Sequence, residues 1–109
     1  MRVRRVILVA VLVGMGSQGT LAANRGQAVY AQWCVACHGS GPGKPGTIAL
    51  QAKYKGMRPA ILEKRNDLTQ EVVKVFVRRG VSVMPPFRKT EISDEELDAL
   101  AAYLSKAAT

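Results

Sequence analysis

Both cysteines and the one histidine of this 109-residue chain fall within five positions, Cys34-Val35-Ala36-Cys37-His38. At this spacing two thiols can add to the two vinyl groups of a haem while the adjacent imidazole reaches its iron. Sulfur makes the thioether bonds, the two intervening residues set the reach along one turn of chain, and the neutral imidazole donates to the metal. The pattern predicts one covalently bound haem c, anchored by Cys34 and Cys37 with His38 as an axial ligand. Three other chemistries use closely spaced cysteines. A thioredoxin-like redox pair belongs with a βαβ pattern that is missing here, and a structural zinc site needs four ligands where no second cysteine pair or second histidine exists. A plain disulfide leaves the placement of His38 without a purpose.

Six-coordinate iron needs a second axial ligand. The chain has four methionines, of which Met1 and Met15 lie in an N-terminal segment that reads as a leader. Of the remaining two, Met57 sits between Gly56 and Arg58 in a basic stretch, a place for packing or partial exposure. Met84 lies in Gly80-Val81-Ser82-Val83-Met84-Pro85-Pro86-Phe87, a loop held extended by prolines, which suits a thioether presented across a haem from His38. His38 with Met84 as axial pair raises the reduction potential and leaves no open position on iron, which points to electron transfer. A five-coordinate haem sensor or enzyme is the rival, and it requires Met84 to be core filling.

The leader opens with Arg2, Arg4 and Arg5, continues in an apolar run over 6–13, and ends in Gly16-Ser17-Gln18-Gly19-Thr20-Leu21-Ala22-Ala23. That is the pattern of a signal peptide, with cleavage expected after Ala22 or one residue later, and the run is shorter than the roughly 20 apolar residues that span a bilayer. Residues 1–22 are thus expected to be removed, 23–109 to form one exported, periplasmic domain, and no membrane span to remain. Loss of three arginines lowers the formal charge from +8 to about +5, and two ionised propionates would bring it to about +3. The cations are scattered singly or in pairs, which fits docking to a redox partner better than nucleic acid. Lys53, Lys55, Arg58, Lys64, Arg65, Arg88 and Lys89 are candidates for a ring around the haem edge.

The elements that must position these residues read as helices throughout. Asn24 is placed to cap a first helix on which Gly26, Tyr30, Cys34 and Cys37 share a face. Residues 39–46 form a Gly/Pro loop, 47–54 a short helix, and Pro59 suits the start of a brief turn ending near Asn66. Thr69 caps a helix with an apolar stripe of Val72, Val73, Phe76 and Val77, closed by Arg78, Arg79 and Gly80; residues 81–90 follow as an extended loop. Ser93 and Glu96 make a capping box before Leu97, Leu100, Ala101 and Leu104. No strand alternation occurs. So short a domain needs a staple, and a haem would supply it.

With these motifs in place the chain resembles the class I cytochromes c over nearly all of residues 23–109: Gly26 and Tyr30 before Cys34-x-x-Cys37-His38, a Gly/Pro loop, Met84-Pro85, and a last helix with Leu100 and Tyr103. The resemblance implies an all-α fold whose N- and C-terminal helices cross beside the single haem, with Gly26, Tyr30, Leu100 and Tyr103 at the crossing. It also implies a proline carbonyl that accepts the Nδ1–H of His38, from Pro45 or else Pro42. Trp33, Tyr54 and Arg58 are candidates for the propionates. The stretches Val77-Arg78-Arg79-Gly80 and Met84-Pro85-Pro86-Phe87-Arg88 are similar to the cytochrome subunits of flavocytochromes that oxidise alkylphenols, such as 4-cresol dehydrogenase. That likeness implies an FAD-dependent dehydrogenase as electron donor, and no substrate chemistry on this chain.

Overall fold

Ser93 and Glu96 start the last helix as their spacing predicts. The Ser93 hydroxyl accepts from Glu96 N at 3.1 Å and the Glu96 carboxylate accepts from Ser93 N at 3.1 Å, satisfying two donors that a helix start leaves unpaired. Ser93→Ala should cost about 1 kcal/mol. In a domain this small that lowers the melting midpoint by about 4–8 °C, which calorimetry of the haem-loaded protein would measure.

The computed structural model describes residues 9–11, 14 and 18–106. Five α-helices follow one another: α1 Gln18–Trp33, α2 Val35–His38, α3 Pro45–Tyr54, α4 Gln70–Arg79 and α5 Asp94–Ser105, with a 3-10 turn at Leu62–Lys64 between α3 and α4. Among the described residues there is no strand, only an isolated bridge between Val81 and Met84. The described architecture is all-α, as the sequence predicts. None of these helices is long and apolar enough to cross a membrane. Most of the expected leader lies outside the described residues, although α1 already includes 18–22.

The most extensive helix contact joins α1 to α5. Gly26 makes it possible: a Cβ there would overlap the Ala99 carbonyl and lie 2.6 Å from Tyr103 Cβ. Tyr30 packs beside it, its ring tilted 56° to that of Tyr103 with centroids 6.1 Å apart. Tyr30, Ile92 and Leu100 are the largest fully buried side chains, and Val29, Cys34, Val73, Val77 and Leu97 complete a core shared by α1, α4 and α5.

Three boundaries differ from the sequence reading. Asn24 does not cap α1 but sits within it, because the preceding residues continue the helix in the intact chain. The loop after the cysteine motif ends earlier, since Pro45 takes the first position of α3, where its fixed φ and missing N–H cost nothing. Pro59 begins no helix, and the short turn waits until Leu62. Thr69 does cap α4, its hydroxyl accepting from Val72 N at 3.2 Å.

Candidate haem site

The cysteine motif is bent around one tight turn. Cys34 ends the α1 direction with its N–H still bonded to Tyr30 O, and its own carbonyl accepts from both Cys37 N (3.1 Å) and His38 N (2.8 Å). Cys34 is buried and Cys37 is exposed, and the two are not bonded to each other. Burial, and then the neighbouring Cys37, push the Cys34 thiol up to about 11.

Three contacts fix His38. The Tyr30 hydroxyl donates to the His38 carbonyl at 3.0 Å. From α3, the buried Thr47 hydroxyl donates to Gly39 O at 2.8 Å and approaches Cys37 O at 3.4 Å, tying α2 to α3 across the glycine loop. Gly46 lies flat against the imidazole, where a Cβ would come within 2.8 Å of Cε1 and 2.9 Å of Nδ1. Desolvation lowers the His38 pKa, which keeps the ring neutral and able to donate to a metal near pH 7. Its Nδ1 is buried without a hydrogen-bond partner. The bond to Pro45 that the resemblance implies is therefore not made in this structure, nor is one to Pro42; as first residue of α3, Pro45 turns its carbonyl along the helix.

Met84 is delivered by a tight turn rather than a simple extended loop. Val81 N donates to Met84 O at 3.1 Å and Met84 N to Val81 O at 2.9 Å, with Ser82 at φ +53° and Val83 88% exposed at the tip. Gly80, at φ +68°, lets α4 reverse into this turn: a Cβ there would sit 2.5 Å from Met84 O. The far side is tied down by Phe87 N donating to Val77 O and by Arg78, whose guanidinium donates to Phe87 O (3.2 Å), Ile92 O (2.8 Å) and Asp94 (2.8 Å). Met57, by contrast, is 88% exposed and lies away from His38.

Cys34, His38 and Met84 line one cavity of about 440 Å³. Its walls are mostly apolar, from Leu50 of α3, Leu62 and Leu68, Val73 and Val77 of α4, and Leu104 of α5. The size is within the range of cofactor pockets. Val72 and Phe76 also face it and are over 40% exposed, apolar surface that a flat hydrophobic ring would cover. The donor set is an imidazole and a thioether with a thiol beside them, the chemistry of a haem c site, and the unpartnered buried Nδ1 marks His38 as a side chain placed for something other than packing. Among the described residues no three His, Cys, Asp or Glu side chains gather as a metal site, as structural zinc would require.

A family model described as cytochrome c oxidase, cbb3-type, subunit III matches residues 21–104. The chain belongs to this cytochrome c family. It is an electron-transfer haem protein carrying covalently bound haem c, of the class I type, and it works with a redox partner. No curated protein and no solved structure matches the cytochrome.

Arg65, expected among the surface cations at the haem edge, is instead buried in an ion pair. Arg65 is 8% exposed, and its guanidinium donates to both Asp67 oxygens and to the Tyr54 hydroxyl, each at 2.8 Å. Arg58 lies 3.6 Å from the same carboxylate and over the Tyr54 ring. All four residues border the haem cavity, so a cluster of two guanidinium groups sharing one carboxylate, net charge +1, forms its polar wall. The Arg65 hydrogen bonds hold Asp67 down to about 2. Of the three propionate candidates Tyr54 and Arg58 border the cavity, whereas Trp33 packs edge-on against Phe87 with centroids 5.8 Å apart and does not border it. The signal for the ion pair was Arg65-Asn66-Asp67 itself; nothing local in the sequence marked its burial.

Proposed function

We propose that this cytochrome is an exported carrier with His38 and Met84 as axial ligands, taking single electrons from a periplasmic FAD-dependent dehydrogenase of the alkylphenol-oxidising type and passing them to the respiratory chain. The observation that carries the ligand assignment is the presence of His38 and Met84 in the lining of one apolar cavity that also holds Cys34. Export is supported by the leader pattern of residues 1–22, and the donor by the likeness around Val77-Arg78-Arg79-Gly80 and Met84-Pro85-Pro86-Phe87-Arg88.

Bound haem supplies a one-electron iron couple. The chain's part is to hold its ligands still. Tyr30 and Thr47 pin the turn that carries His38, and the Val81–Met84 turn, closed by Arg78 and Phe87, pins the thioether. Apolar walls from α3, α4 and α5 would cover much of the ring and limit the water around the metal. Were both side chains to ligate the iron, no position on it would remain for a substrate.

A second reading, a free shuttle to a terminal oxidase, is favoured by the oxidase named in the description of the matching family. Affinity purification of the haem-loaded protein from cells separates the two. A flavin-containing chain recovered in stoichiometric amount, with haem reduction on adding an alkylphenol, is the expected result. Recovery of an oxidase instead, or a haem that no flavoprotein fraction reduces, would remove the dehydrogenase assignment.

A further inference from the structure

From Gly80 to Ser93 the chain carries Met84 between α4 and α5 with few bonds of its own. The Val81–Met84 bridge closes its first turn, and Arg88 O, accepting from Glu91 N and Ile92 N, closes its last. Between them Pro85 and Pro86 have no N–H to donate, so the stretch directly after Met84 cannot tie itself down. Its anchorage comes from the end of α4. Phe87 N donates to Val77 O at 2.8 Å, and Nη1 of Arg78 donates to the carbonyls on either side of the Arg88 turn, Phe87 O at 3.2 Å and Ile92 O at 2.8 Å. Nη2 of the same guanidinium donates at 2.8 Å to Asp94, the first residue of α5. One side chain thus joins α4, the segment after Met84 and the start of α5.

The Arg78 side chain is only 23% exposed although it carries a charge, and the Ile92 whose carbonyl it holds is fully buried. Carbonyls in such surroundings need a donor, and a planar fork with several N–H groups supplies three bonds at once where a lysine ammonium presents a single nitrogen. Arg79, the next residue, is exposed and forms no ion pair among the described residues. Arg78 does not border the haem cavity, so whatever it does to the iron passes through the backbone it holds.

We propose that Arg78 is a positioning residue for the sixth ligand: by clamping Phe87, Ile92 and Asp94 it keeps Met84 against the iron, and its loss opens that position to outside ligands. The inference rests on Met84 being that ligand. A thioether is a soft, neutral donor and ferric iron a hard acceptor, so the freedom of the loop decides how often the bond opens. An outside ligand binds only the opened state, and its apparent dissociation constant is the intrinsic one divided by the opened fraction.

Imidazole titrated into the oxidised, haem-loaded protein is the test, read by loss of the Fe(III)–thioether charge-transfer band. Arg78→Gln should bind imidazole about tenfold tighter, because the opened fraction rises about tenfold. Arg78→Lys, which keeps the charge without the fork, should fall between the two. Arg79→Gln removes the same charge beside the clamp, and Thr69→Ala removes the cap at the opposite end of α4 and lowers the melting midpoint. Both should match the unmodified protein's affinity within about twofold. Unchanged affinity in the two Arg78 variants would overturn the assignment, as would an equal gain in Thr69→Ala, which would reduce it to overall stability. If Arg78→Gln retains too little fold to titrate, Arg78→Lys against the same controls decides. Failure of the ligand reading looks different: the unmodified protein would show no thioether band for imidazole to remove, and the role of Arg78 would fall with it.

Discussion

Met84→Ala is expected to keep its covalent haem and lose its low-spin spectrum. The Fe(III)–thioether charge-transfer band should disappear, the iron should become high-spin and bind carbon monoxide, and the reduction potential should fall by on the order of 0.1 V, within the roughly 0.8 V span that axial ligation commands. Met84 is only half-buried, its backbone is bonded to Val81, and the loop beyond it is held by Arg78 at Phe87 O, none of which involves the thioether, so the fold should survive the change. Met57→Ala, at an exposed position, should leave spectrum and potential unchanged. A Met84→Ala protein indistinguishable from the unmodified one would return Met84 to packing and revive the five-coordinate alternative.

Gly26→Val should be the most damaging single change outside the haem ligands. A Cβ at Gly26 already overlaps the Ala99 carbonyl, which belongs to a helix backbone and cannot step aside. The branched side chain must push α1 away from α5 and loosen the packing of Tyr30 on Tyr103. A loss of about 3 kcal/mol is expected, the upper end for overpacking. Thermal unfolding of the haem-loaded protein should show a midpoint lowered by about 12–24 °C, taking about 4–8 °C per kcal/mol for a domain of this size. Gly26→Ala should shift it in the same direction by less. Equal midpoints for all three proteins would mean that the crossing contributes little.

What could be read from the sequence was whatever depends on local spacing. Cys34, Cys37 and His38 sit on one turn because their separation allows nothing wider, and Ser93 with Glu96 and Thr69 with Val72 are bonds between residues three apart. Met84 was legible as a residue in a prolyl loop, but its turn was not. The Val81–Met84 bridge depends on Ser82 adopting φ +53°, a conformation that serine does not announce. Asn24 was misplaced because a capping residue signals a start only when the chain before it is not helical. The burial of Arg65 depends on Tyr54 and on residues of three separate segments meeting at the cavity, and no window of sequence contains that.

The crossing of α1 and α5 joins the first helix of the domain to the last, across some seventy residues of intervening chain. A contact of such long sequence separation closes a large loop, and its burial must offset the entropy of that closure. Cys34 belongs to the core that this contact completes, together with Leu100, Ala101 and Leu104 of α5. Without α5 in place its sulfur lacks that cover and stays reachable by whatever must react with it. Docking of the last helix on the first therefore encloses one cysteine of the pair and leaves the other open, so chemistry at the enclosed sulfur is easiest before that docking.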